Sequence, residues 1–235
     1  AARSTTRPVQ ARSERRFSTA STASSISDVP PTLGVEVAAI EQVMTQLDDA
    51  CHRSAALAAL TGHVWSWSQD AAGCRAVQLA LEVAGRNEAK ALVEELHGHA
   101  AEAMHSPHAN FVIQKVIEAM PTTVSAFVAE ELSGSAAVAA RHRFGCRILC
   151  RILEHSVASG GAAAALVDEC LRYAQDLCRH EFGHYVMKAV LEHGTAEQRH
   201  RIAEALWAGP SAGHSSMANG LTRNALHRNA SYVLE

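Results

Sequence analysis

The sequence predicts an all-α protein, a curved α-solenoid of stacked helical repeats, and three observations carry that reading. Alanine and leucine abound, while only 5 % of the 235 residues are aromatic in a chain that is 48 % hydrophobic, which favours packed helices over a sheet sandwich. A six-residue pattern recurs five times, at spacings of 36, 36, 38 and 47 residues. An apolar–Glu pair follows the first four copies in one register: Leu81-Glu82, Ile117-Glu118, Leu153-Glu154 and Leu191-Glu192. Self-similarity at a period near 36 residues, with helical stretches in each period, is the mark of an α-solenoid.

Along the chain, residues 1–32 come first, with five arginines (Arg3, Arg7, Arg12, Arg15, Arg16) among many Ser and Thr and only Glu14 and Asp28 acidic. That composition predicts a disordered segment; its Arg/Ser-rich, acid-poor character also fits an organelle transit peptide. The chain opens at Ala1 and not Met, as expected of a piece processed or cut from something longer. After Pro30-Pro31 the periodicity becomes helical, and a repeat domain is expected over 33–235. Its repeats fall near 50–85, 86–121, 122–159, 160–195 and an incomplete 196–235. Residues 36–64 read as amphipathic helix, supplying a partner for the first repeat and a preceding or capping turn.

The five copies of the pattern are Gly73–Gln78 (GCRAVQ), Ala109–Gln114 (ANFVIQ), Gly145–Cys150 (GCRILC), Gly183–Lys188 (GHYVMK) and Ala230–Glu235 (ASYVLE). Each opens with a small residue, then two polar or aromatic residues, two apolar ones and a last residue that is usually polar. Between copies lie second helical stretches, Glu88–Ala101, Thr123–Leu132, Ala162–Leu177 and Ala196–Trp207, punctuated by Gly85, Pro121, Gly160-Gly161 and Gly194. The expectation is two helices per period. The longest gap contains Ala208–Gly213, which reads as an inserted loop. The chain stops at Glu235 inside an expected helix, so a truncated array with a further capping repeat is anticipated.

Counting from the residue after the small one, the first and fifth residues of each copy stand four apart, so their side chains emerge together on one helical face. Two such groups can grip one base edge, and the residue beside the first can lay a guanidinium or an aromatic ring between bases. Helices packed roughly 8–10 Å apart leave room for about one base and one intercalated side chain per repeat.

These segments, with His142–Arg147, His180–Tyr185 and the following Leu-Glu-His at 153–155 and 191–193, resemble the RNA-reading helices of PUF (Pumilio-type) repeat proteins over about residues 50–235. The copies resemble the third to seventh repeats of an eight-repeat array. The resemblance implies a code. Cys74 with Gln78 reads adenine beside a stacking Arg75; Asn110 with Gln114 reads uracil beside Phe111; Ser231 with Glu235 reads guanine beside Tyr232. Two copies depart from it. Cys146 and Arg147 are adenine-like, but Cys150 stands where glutamine is expected and offers only a weak S–H. His184, Tyr185 and Lys188 replace a uracil trio, putting a cation where an amide would read; these two copies are expected to be tolerant or to hold phosphate.

The implied function is sequence-selective binding of single-stranded RNA of the mRNA 3′-UTR type, one base per repeat, in post-transcriptional control of stability or translation. Since such RNA runs antiparallel to the repeats, the expected core is 5′-G-N-(A or N)-U-A-3′. Neither catalysis nor a cofactor is expected, and the chain is expected to be a monomer. The net charge of −3 calls for a basic inner face, expected from Arg75, Lys115, Arg147, Arg151 and Lys188. Glu94, Glu95, Glu130, Glu131, Asp168 and Glu169 fall on the partner helices, giving an acidic outer face open to regulatory proteins.

Other classes compete. His180-Glu181-Phe182-Gly183-His184 matches H-E-x-x-H, with Glu204 as a third zinc ligand; but Gly183 falls where the other copies begin their helix, so the two histidines should straddle a junction. Cys146 and Cys150 at i, i+4 read as packing. No Walker loop, nucleophile elbow, dinucleotide fingerprint or membrane-length apolar run appears. Six scattered cysteines without a CxxC pair point to a reducing compartment, the cytoplasm, or an organelle if 1–32 is a transit peptide. The remaining rival is a HEAT/armadillo-like array, or a drifted PUF-like scaffold of the ribosome-biogenesis kind, that reads no sequence.

Overall fold

A computed structural model describes residues 31–156, 160–208 and 217–234. The Arg/Ser/Thr-rich segment up to residue 30, with its transit-peptide reading, lies outside the described residues, as do most of the Ala208–Gly213 insertion and Glu235.

Two helices precede the repeats: α1 (Pro31–Asp48) and α2 (Arg53–Leu60). Pro31 suits the first position of α1, where its missing N–H would have no partner anyway. The repeats then run α3 (Val64–Ser68), α4 (Gly73–Val83), α5 (Arg86–Glu94); α6 (Ala100–Ala103), α7 (Ala109–Ala119), α8 (Thr122–Glu131); α9 (Ala136–Arg141), α10 (Gly145–Ser156), α11 (Gly161–Leu171); α12 (Ala174–Arg179), α13 (Gly183–His193), α14 (Ala196–Ala208); and α15 (Met217–Ala225) with α16 (Ser231–Leu234). Among the described residues there is no strand, and no helix long and apolar enough to cross a membrane.

The expected pair of helices per period is a triplet. Two of the four second stretches are broken: 88–101 divides into the end of α5 and the start of α6, and 162–177 into α11 and the start of α12, whereas 123–132 and 196–207 correspond to the single helices α8 and α14. Before each of the first three triplets the break has a cause. Gly62, Gly98 and Gly134 adopt φ of 85°, 83° and 81°, a left-handed conformation that stops a helix and costs a residue with a Cβ. A carboxylate from the far end of the same triplet then caps the next short helix. Glu95 accepts from the N–H groups of Gly62 (2.7 Å) and Val64 (3.1 Å). Glu131 does so from Gly98 (2.6 Å) and Ala100 (2.9 Å), and Glu169 from Gly134 (2.9 Å) and Ala136 (3.0 Å). The fourth triplet lacks both halves of this clamp, with Arg172 at the glycine's place and Ala205 at the carboxylate's.

The hexamer helices stack in a file, α4 on α7, α7 on α10, α10 on α13 and α13 on α16, with α1 closing the end against α4. Their paired apolar residues form the spine. Val77, Ile113, Ile148, Leu149, Val186 and Met187 are all buried, each contributing about 1.5–3 kcal/mol by leaving water. On the second layer, α8 packs on α11 and α11 on α14. The small opening residue lets the hexamer helix meet the short helix before it: a Cβ on Gly73 would lie 2.4 Å from the Trp67 carbonyl oxygen, and one on Gly145 2.5 Å from that of Ala139. Ala109 and Ala230 fill the corresponding positions with their methyls fully buried.

Candidate nucleic-acid interface

Each hexamer helix is introduced by the same turn. Three residues before the small one, a side chain accepts the N–H groups that start the helix, satisfying donors that no helical carbonyl reaches. Asp70 takes those of Ala72 and Gly73 at 2.7 and 2.8 Å, and Ser106 those of His108 and Ala109 at 3.3 and 3.0 Å. In the next three copies the acceptor is an imidazole. His142 Nδ1 accepts from Phe144 and Gly145, His180 Nδ1 from Phe182 and Gly183, and His227 Nδ1 from Asn229 and Ala230, at 3.1–3.4 Å. Partial burial works against the charge of Asp70, but the N–H donors of Gly73, Ala72 and Ala71 outweigh it and hold the carboxyl below its usual range. Burial lowers the three histidines, helped by His105 and Arg143 at His142, Arg141 at His180 and Arg179 at His227. The sequence shows these turn residues only once the small residues are aligned.

The first reading residue points back to that turn. Asn110 Nδ2 donates to the Ser106 carbonyl at 2.8 Å, and the Ser231 hydroxyl to that of Arg228 at 3.0 Å. The thiols of Cys74 and Cys146 lie 3.7 and 3.5 Å from the Ala71 and Arg143 carbonyl oxygens. Burial pushes the Cys146 thiol up to about 11 and raises that of Cys74, so both stay protonated donors. Asn110 is fully buried, while Cys74, Cys146 and His184 are nearly so.

The second residue stands outward. Arg75, Tyr185 and Tyr232 are exposed and Phe111 and Arg147 half-buried, a row of planar side chains along successive helices. The fifth residue bends to the first. Gln78 Nε2 donates to the Cys74 carbonyl (3.0 Å), and Gln114 Nε2 to the Asn110 carbonyl (3.2 Å) and to Asn110 Oδ1 (2.9 Å). These two copies are therefore closed on themselves, and a base would have to draw the glutamine outward. Cys150 packs partly buried against the core, which raises its thiol well above the ordinary range. Lys188 is half-buried and lies in none of the ion pairs among the described residues. Glu235, the fifth residue of the last copy, lies outside the described residues.

Two charge expectations need correction. Lys115 and Arg151 are not positive charge left for phosphate: Lys115 pairs with Glu82 (2.5 Å) and Glu118 (3.9 Å), and Arg151 with Glu118 (2.9 Å) and Glu154. The recurrent apolar–Glu register is thus one side of an ion ladder crossing α4, α7 and α10. Glu95, Glu131 and Glu169 are not simply an acidic outer face either, since they hold the triplet clamps.

The H-E-x-x-H pattern dissolves as the register predicts. His180 ends α12 in an extended conformation and caps the turn, while His184 belongs to α13. No group of three or more metal-ligating side chains is gathered among the described residues.

The model of the Pumilio-family RNA binding repeat matches residues 63–97, 99–133, 140–158 and 173–206, four segments that together cover just over half of the chain. Pumilio homolog 1 of Xenopus laevis is 33 % identical over 95 residues, 40 % of this chain and 8 % of that protein. Among solved structures, the Puf3 RNA binding domain bound to a Cox17 RNA 3′ UTR recognition sequence superposes with a TM-score of 0.72 at 23 % identity, over 85 % of this chain and 58 % of that one. The RNA-binding domain of yeast Puf5p bound to SMX2 RNA gives 0.68 at 11 % identity, over 85 % and 56 %. At these identities the superpositions speak for the fold, and the chain spans under three fifths of each of these two solved domains.

Proposed function

The chain belongs to the Pumilio family of RNA-binding repeat proteins, and from that premise we propose that it binds single-stranded RNA sequence-selectively, one base per repeat. One observation carries the reading. Five helices repeat, in register, a turn-anchored first residue and an outward planar or cationic second residue, and the last residue of the hexamer reaches back to the first in the two copies that carry glutamine. A drifted scaffold has no need to keep a planar row and a polar pair together. By the family code, Cys74/Gln78 with Arg75 takes adenine, Asn110/Gln114 with Phe111 uracil, and Ser231/Glu235 with Tyr232 guanine. Cys146 with Arg147 leans to adenine.

We place the protein in control of mRNA stability or translation, acting by binding and not by catalysis. We assign it to the cytoplasm, where thiols such as those of Cys74, Cys146, Cys170 and Cys178 stay reduced. Selection from a random RNA pool tests the proposal. Enrichment of 5′-G-N-N-U-A-3′ cores supports it; a pool in which nothing containing that core rises leaves the interaction scaffold as the better account.

A further inference from the structure

The fourth hexamer helix, α13, carries none of the residue pairs with an assigned base, but its hydrogen bonds define what it offers. His184 Nδ1 lies 3.0 Å from the His180 carbonyl oxygen. A carbonyl only accepts, so a ring proton sits on Nδ1, and the tautomer with that proton alone leaves Nε2 as a bare acceptor. Asn110 is arranged in the same way. Its Nδ2 is committed to the Ser106 carbonyl, and its Oδ1 is the acceptor that remains. Four residues on, Gln114 sets a donor beside that acceptor, its Nε2 lying 2.9 Å from Asn110 Oδ1. Lys188 stands at the same position of α13 and consists of donors alone. Both helices therefore set an acceptor and a donor four residues apart on one face, in the same order.

We propose that His184 and Lys188 make the fourth copy a selective reader of the imide edge, an N–H beside a carbonyl, that uracil and guanine share. This rests on the reading of α13 as an RNA-facing helix. The imide N–H donates to His184 Nε2, and the ammonium of Lys188 donates to the neighbouring carbonyl oxygen. Adenine has no carbonyl, and adenine and cytosine both turn an exocyclic amino group to this edge, so hydrogens would confront the hydrogens of the ammonium. The aromatic surroundings suit a base. The Tyr185 ring centroid lies 4.0 Å from that of His184, and the exposed Tyr232 of the next helix stacks on it at 5.8 Å with a 27° tilt. A base at this edge has an aromatic face available from each of two successive helices.

The test uses the full chain and four RNAs that differ only at the nucleotide facing the fourth copy, plus controls altered at the nucleotide facing Asn110 and Gln114. Uracil and guanine should bind roughly tenfold more tightly than adenine and cytosine, within the range that a two-point contact to a base edge discriminates. Lys188→Met should erase that difference, whereas Lys188→Gln, which keeps a donor, should retain it; circular dichroism melts check that both variants fold. His184→Asn should also keep the preference, because Asn110 shows that asparagine can make the same turn contact. Equal binding of all four RNAs would overturn the proposal, as would a uniform loss for Lys188→Met, which marks a phosphate contact. If the controls altered at the second copy also bind unchanged, the failure lies in the RNA-reading assignment itself.

Discussion

Asn110 and Gln114 illustrate what a single pair of side chains is asked to do. In the free molecule each satisfies the other, so a base must offer at least as much as the 2.9 Å hydrogen bond it displaces. Replacing Asn110 with Ser and Gln114 with Glu should move that copy from uracil to guanine, since a carboxylate accepts from the two guanine N–H donors and faces a repelling oxygen on uracil. Competition binding should show a reversal worth about 1–3 kcal/mol; equal weakening toward both bases would assign the pair to the fold alone. Cys150→Gln should strengthen binding to adenine at the third copy, with its amide reaching the Cys146 carbonyl as Gln78 reaches that of Cys74. One net hydrogen bond, about 0.5–1.5 kcal/mol, gives a several-fold gain. Because Cys150 packs partly into the core, a melt must accompany the titration. A large stability loss would mean that the glutamine turns inward and overpacks. The candidate site was legible to this depth because the hexamer recurs five times. That Asn110 is fully covered was not, since a sequence shows which side chains share a face but not that one folds over another.

The helical file was legible as elements, whereas the short helix that opens each triplet was not. Helices of four to six residues, such as α6, α9 and α12, are too short to show a 3.6-residue period and run into the end of the preceding helix. The left-handed glycines and the carboxylates 33–35 residues away that fix them carry no local signal. Glu131→Gln tests that device. It keeps the shape but removes the charge that accepts from the Gly98 and Ala100 N–H groups, and should cost about 1–3 kcal/mol in denaturant unfolding. The imidazole caps give a second expectation at this scale. His142, His180 and His227 each use Nδ1 as an acceptor, which protonation removes, and each is lowered below its ordinary value in the fold. Above about pH 6.5 these groups are neutral folded or unfolded and contribute no pH dependence. As pH falls through that value the unfolded chain takes up protons first, so stability is lost on acidification. Thermal melts between pH 7.5 and 5.5 should show a fall, and His142→Asp should make it shallower. A carboxylate cap of the Asp70 kind keeps its charge throughout that window, the Asp70 carboxyl being held below its usual range. An unchanged slope would remove His142 from the account.

At the scale of the whole molecule, the question is how a chain of net charge −3 meets a polyanion. The ion ladder shows where part of its positive charge goes. Five charges, Glu82, Lys115, Glu118, Arg151 and Glu154, alternate in sign across three stacked helices, so this stretch of the hexamer helices carries more carboxylates than cations. Binding should then lean on stacking and base edges more than on phosphate, and depend only weakly on salt. With about three phosphates engaged on a single strand, the logarithm of affinity should fall with that of salt at a slope of about −2. Glu118→Gln should shift this balance. Glu118 sits between Lys115 and Arg151, and removing its charge leaves each cation one acidic partner in place of two. RNA affinity at low salt should rise and the slope should steepen by up to about one. The cost to stability should stay near 1 kcal/mol or less, because these pairs are partly exposed and screened. Measuring affinity from 50 to 200 mM salt for both proteins decides it: parallel lines would mean that the ladder lies off the RNA path and serves only to hold α4, α7 and α10 in file.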